Sequence, residues 1–164
     1  MSLIIEVILN KISDENIDIN CRAMSNLLKK IENNLICLEQ IDERIAQKFM
    51  FSITYWLFMF LDNYQQYKYI STLIINVLNL YLKCIDIFPP SAIINLKNEI
   101  ELSPLFNNIG SINQELSSLC DQIQQKLSLN ELNCNKNACD IYNKFPESYE
   151  PRNNNEMTNK NYSA

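Results

Sequence analysis

Hydrophobic residues recur at alternating steps of four and three from Ile17 to Leu38: Ile17, Cys21, Met24, Leu28, Ile31, Leu35 and Leu38. That spacing puts them on one stripe of an α-helix. Ala23, Leu27 and Ile36 flank the stripe and widen it beyond a coiled-coil seam. Asn20, Arg22, Asn26, Lys29, Lys30, Asn33 and Glu39 occupy the opposite, solvated face. Ser13 and Asp14 precede the helix as N-cap candidates, because their oxygens can accept from the free N–H groups of a first turn. No Gly or Pro interrupts the segment, so Asn33 and Asn34 are expected inside its last turns.

The pattern continues on both sides. Leu3, Ile4, Val7 and Ile8 predict a short amphipathic helix at the N-terminus. A helix is expected from about Asp42 to Leu61, apolar almost all round from Phe49 onward. That run is bounded by Lys48 and Asp62 and falls short of the roughly twenty residues a membrane span requires. It reads as a central helix buried on several sides. Asp62-Asn63-Tyr64 is a turn. Another helix is expected from about Gln65 to Asp86, burying Tyr69, Ile70, Leu73, Ile74, Val77, Leu78, Tyr81, Cys84 and Ile85. Phe88-Pro89-Pro90 ends it, since a proline disfavours helix in the residue before it. Short helices follow, one from Ser91 to about Asn98 with Ala92, Ile93 and Leu96 as its apolar positions. The next opens at Ser103-Pro104 and runs to about Asn108. After a loop at Asn107–Gly110, Ser111 and Gln114 match a capping box. Ile112, Leu116, Leu119, Ile123 and Leu127 form the stripe of a last helix, to about Leu129. Beyond it Asn, Lys, Glu and Pro dominate, and Leu132, Ile141, Tyr142 and Phe145 are isolated. Residues 1–130 thus read as one helical domain and 131–164 as a polar, disordered tail.

The segment from Phe88 to Leu129 has the length and helix order of an armadillo repeat. Such units stack on their neighbours to bury their apolar faces. The fold expected is all-α: an armadillo-like α-solenoid of about six or seven helices, with a generic helical bundle as the alternative.

Composition narrows the chemistry. There is one glycine, Gly110, in 164 residues. Tight hairpins and phosphate-cradling loops both need glycine, so a sheet protein or a Gly-rich nucleotide site is disfavoured. There is no histidine, which removes Ser-His-Asp and Cys-His nucleophiles and most catalytic zinc sites. The net charge is −5, the wrong sign for a phosphate backbone, so no nucleic-acid partner is expected and Lys29-Lys30 reads as a solvated face. The six cysteines, at 21, 37, 84, 120, 134 and 139, contain no C-x-x-C. They read as reduced thiols that mostly pack like small hydrophobes. Met1-Ser2 offers no myristoylation site, and no signal peptide is visible at the N-terminus. The best carboxylate seeds for catalysis, Asp42-Glu43 and Glu99/Glu101, sit at helix ends, where carboxylates usually cap or stay solvated.

One set of residues points beyond a fold. Arg22-Ala23-Met24-x-x-Leu27-Leu28-x-Lys30-Ile31-Glu32-x-Asn34-Leu35-Ile36-Cys37 resembles the signature near the start of the rotatin family. There an Arg-Ala-Leu helix leads to a Lys-(Ile/Leu)-Glu-x-x-Leu-Ile ending. Phe88-Pro89-Pro90-Ser91-Ala92-Ile93 resembles that domain's Tyr-Pro-Pro-Ala-Val segment. Met24 replaces the usual Leu, and Asn98-Glu99-Ile100-Glu101 stands where the family has Gly-Ala. Rotatin-like proteins are far longer, so the chain is expected to be a fragment, a truncated form or an isolated N-terminal domain.

The resemblance implies a non-catalytic armadillo-like scaffold of the centriole and ciliary basal body, supporting centriole assembly and elongation and cilium formation. Its partners would be other centriolar or basal-body proteins, and its location the cytoplasm and cytoskeleton. No nucleic acid, membrane span, cofactor or small-molecule ligand is expected. No catalytic, cofactor-binding or metal residue is nominated. The alternative is a generic armadillo- or HEAT-type protein-binding adaptor unrelated to centrioles.

Overall fold

A computed structural model describes the backbone of residues 2–93 and 113–144, and the side-chain environments of residues 3–93 and 113–129. The described residues are helical with no strand, so the chain is all-α there. It divides into two units, Met1–Ser128 and Leu129–Ala164. In the first unit, α1 (Ser2–Ile12), α2 (Ile17–Glu32), α3 (Glu43–Asp62) and α4 (Ser71–Ile87) follow one another. Helix α5 spans Gln114–Lys144. α1 packs on α2 and α3, and α4 packs on α3 and α2.

The centre of the unit is α3. Its N-cap is Asp42, whose Oδ1 accepts the Ile45 N–H at 2.9 Å. Phe49, Met50, Ile53, Trp56, Leu57 and Phe60 are fully buried. The aromatic run is nevertheless not buried all round: Phe51 and Phe58 are half-buried and Tyr55 is exposed. Burial on two flanks needs only the positions that face α1, α2 and α4.

Helix α2 departs from its expected phase and length. Met24 and Leu27 are fully buried, while Ile17, Cys21, Leu28 and Ile31 are only half-buried. The buried stripe is rotated and takes in Asn20, which is 0% exposed although its spacing placed it on the solvated face. The cause is a partner. The indole Nε1–H of Trp56 donates to Asn20 Oδ1 at 3.1 Å, and Asn20 Nδ2–H donates to the Asp14 carbonyl at 3.0 Å. A buried amide satisfied at both ends can replace an apolar side chain. The N-cap is Asn16, accepting the Ile19 N–H at 3.2 Å, while Asp14 accepts from the Asn16 N–H instead.

The helix also stops earlier than the apolar pattern suggests. Asn34 takes φ 61°, and the Leu35 N–H donates to the Lys30 carbonyl at 2.8 Å while the Asn34 N–H donates to that of Ile31 at 3.1 Å. These two bonds make a Schellman stop, for which Asn is the usual substitute when Gly is not used. Leu35 is thrown outward, 65% exposed, whereas Ile36 and Leu38 re-enter the core from an irregular segment and a 3₁₀ turn at Leu38–Gln40.

Helix α4 begins at Ser71, not near Gln65. Two 3₁₀ turns, Tyr64–Gln66 and Lys68–Ile70, fill the interval. Their three-residue period breaks the 3.6-residue phase, and Tyr69, expected in the core, is 73% exposed. From Ile74 onward the expected stripe is buried. Phe88 is extended before Pro89 and sets its ring edge-on to Phe49, with centroids 5.4 Å apart. Residues 90–93 are helical, and Ala92 and Ile93 are buried. The remaining short-helix positions and the Asn107–Gly110 loop lie outside the described residues.

The N-terminal helix is rotated as well. Ile5, Ile8, Leu9 and Ile12 are buried, while Leu3 is 75% exposed and Ile4 and Val7 are exposed too. On α5, Leu116, Leu119, Cys120, Ile123 and Leu127 are buried as the stripe requires. Its cap is Asn113, which accepts the Leu116 N–H at 3.1 Å and donates to the Tyr64 hydroxyl at 3.2 Å. Ser111, of the expected capping box, lies outside the described residues. Lys126 pairs with Asp86 of α4 at 2.7 Å. The helix passes the expected end near Leu129 and enters the segment read as a disordered tail. No Gly or Pro stands between Gln114 and Lys144 to interrupt it.

The segment Lys68–Ile87 has the length and composition of a membrane span. The apolar run weighed for that role in the sequence was instead Phe49–Leu61. Within Lys68–Ile87, Thr72, Asn76, Asn79, Lys83 and Asp86 are exposed at steps of four and three. They form a polar stripe opposite the buried one.

Candidate functional site

The outward face of α2 forms one wall of an open cleft of about 490 Å³. Burial of Asn20, Met24 and Leu27 fixes the rotation of α2 and therefore which residues look out. Asp18, Arg22, Asn26 and Lys29 recur along the exposed side, with Cys21 and Ser25 half-buried below them. The other wall is the entry to α4, where Ile70 of the preceding 3₁₀ turn and Leu73 of the helix are half-buried. The cleft has an aliphatic floor and a polar rim that carries two cations and one carboxylate.

Burial pushes the Cys21 thiol up from its ordinary range, and the Asp18 carboxylate adds to the shift. A thiol held protonated is a poor nucleophile. Cys84 is raised by burial, and Cys120 is pushed up to about 12 by burial, with Asp121 contributing. Cys134 and Cys139 have no described side-chain surroundings. Among the described residues, no three His, Cys, Asp or Glu side chains converge as a metal site would require. Of the carboxylates considered for catalysis, Asp42 accepts the Ile45 N–H and Glu43 is exposed on the first turn of α3. Glu99 and Glu101 lie outside the described residues.

The residues that carry the sequence resemblance do not form one site. Arg22 lines the cleft, but Lys30 is half-buried and its carbonyl accepts the helix-stop bonds. Glu32 closes α2, and Asn34 supplies the left-handed turn. Periodicity found Arg22, Asn26 and Lys29 as a solvated face. It could not find the cleft, because the opposing wall comes from Ile70, which ends the second 3₁₀ turn, and Leu73, and those turns are not encoded by a helical repeat. Comparison with protein-family models, curated proteins and solved structures returns no match.

Proposed function

We propose that this chain is a non-catalytic protein-interaction domain of an armadillo-like, rotatin-type scaffold that acts in centriole assembly, basal-body organisation and cilium formation. The observation that carries the reading is α2. The Arg22–Cys37 stretch, which runs through its second half and past its end, resembles the family signature, and the helix is an integral layer of the core while presenting a polar face with a cleft beside it. Rigid helical surfaces of this kind bind partners through grooves. In this reading Lys68–Ile87 is a core helix, its polar stripe facing water and not lipid. The protein works in the cytoplasm, on the cytoskeleton at the centrosome and ciliary base.

A second reading, a generic armadillo- or HEAT-type adaptor, is favoured by the Schellman stop. Lys30, Ile31 and Leu35 there supply the backbone bonds that end a helix, a task any helical repeat must perform. Tagging the chain in ciliated, dividing cells separates the two. The scaffold reading expects colocalisation with a centriole marker; a folded chain spread through the cytosol supports the adaptor.

A further inference from the structure

We propose that the cleft between α2 and the start of α4 docks an acidic, aliphatic segment of another protein. The partner's carboxylates meet Arg22 and Lys29, and one aliphatic side chain lies over Cys21, Ile70 and Leu73. The inference rests on the interaction-domain reading and adds the partner's chemistry.

Charge is the first argument. The chain carries a net charge of −5, yet this rim holds Arg22 and Lys29 against Asp18 alone. Three other cations are answered within the fold: Arg44 reaches Glu6 at 2.9 Å, with Lys48 beside it at 3.9 Å, and Lys126 reaches Asp86. Arg22 and Lys29 are in none of these ion pairs. They are seven residues apart on α2, hence about 10 Å along one face. That matches carboxylates two helical turns apart on a partner, or three residues apart in an extended one.

The floor is the second argument. Cys21, Ile70 and Leu73 are half-buried and line a depression large enough for one or two aliphatic side chains. A purely ionic ligand would leave that surface wet; a segment of Glu-Leu-Glu repeats, with carboxylates three residues apart and Leu between them, covers it. Polyanions with no apolar part match only the rim. A contact of this size falls below a standard stable interface, so the binding is weak and salt-sensitive.

The test uses the full chain and a fluorescein-labelled peptide that repeats Glu-Leu-Glu, with a Lys-Leu-Lys peptide as its matched control. Fluorescence anisotropy at low salt should show saturable binding of the first peptide and not the second. The R22E/K29E variant, whose changes lie on an exposed face, should weaken binding roughly tenfold or more, as loss of interfacial charge pairs does. L73N should weaken it as well, and R44E should leave it unchanged. Circular dichroism confirms that each variant is folded. Lack of saturation, equal binding of the Lys peptide, or full binding by R22E/K29E overturns the proposal. So does displacement by inorganic phosphate or a single-stranded oligonucleotide as effective as displacement by unlabelled Glu-Leu-Glu peptide. A chain that reaches centrioles but binds no Glu-Leu-Glu peptide overturns the cleft and leaves the scaffold reading standing. A chain that binds the peptide but is absent from centrioles does the reverse.

Discussion

Replacing Asn20 by alanine should destabilise the first unit, and the sign of the effect is the informative part. If Asn20 sat on the solvated face that its spacing suggests, Asn20→Ala would improve helix propensity by up to about 0.7 kcal/mol. In the structure it is fully buried between the Trp56 indole and the Asp14 carbonyl. Alanine strands a buried Trp56 N–H, at a cost of about 1–3 kcal/mol, and deletes the bond to Asp14, worth about 1 kcal/mol net. After the propensity gain is subtracted, the loss is about 1.5–3 kcal/mol. For a unit of this size Tm should fall by roughly 5–15 °C. Trp56 is the only tryptophan and is 1% exposed, so its emission reports unfolding directly. In urea the midpoint should drop by about 1 M. Trp56→Phe removes the donor, so adding Asn20→Ala to it should cost less than Asn20→Ala alone when both are followed by circular dichroism. An unchanged or raised midpoint for Asn20→Ala would refute the buried placement.

Other expectations can be checked with the same assays. Leu27→Asp places a charge at a fully buried position and should abolish the cooperative transition, whereas Leu28→Asp, at a half-buried one, should leave a folded but weakened unit; equal effects would contradict the rotation of α2. Thr54 Oγ1 donates its one proton to the Met50 carbonyl at 2.6 Å, so the Tyr81 hydroxyl, 3.0 Å away, donates to Thr54. Tyr81→Phe should therefore cost about 1 kcal/mol, while Thr54→Val, which strands the phenol, should cost about 1–3 kcal/mol more than its packing change; the reverse order in urea denaturation would reverse the donor. The Cys120 thiol is pushed up from 9.0 to about 12 by burial, and Cys84 and Tyr81 are raised too. Above pH 9 the unfolded thiols lose protons that the folded ones keep, so stability should fall as pH rises from about 9 to 12. Cys84→Ala/Cys120→Ala should flatten that slope, and a slope unchanged by the pair would exclude the thiols as its source.

Much of the fold was legible in periodicity. The α3 boundaries, the Pro89 stop and the α5 stripe follow from spacing and from the local restrictions of proline. Failures came where a polar side chain or a turn of different pitch intervened. Asn20 reads as surface until Trp56, 36 residues away, supplies its partner. Asn34 ends α2 because it can adopt a left-handed backbone, a property that an apolar pattern does not record. On α1, Leu3, Ile4 and Val7 read as part of the apolar face, yet they are exposed while Ile5, Leu9 and Ile12 join Ile8 in the core. The cleft was half legible, as the cationic edge of α2; its aliphatic wall depends on tertiary packing that no local window contains.

The place of α4 in the order of synthesis has a consequence for biogenesis. A nascent chain emerges N-terminus first and folds as it does so. By the time Lys68–Ile87 leaves the ribosome, α1, α2 and α3 have already been released. The surfaces of α2 and α3 that receive α4 therefore exist before this span-like segment reaches solvent. Burial of its Ile74–Ile85 stripe competes from the outset with capture by membrane-targeting factors. A permuted chain that makes Lys68–Ile87 first removes that protection, and should partition into membranes during translation more than the native order does.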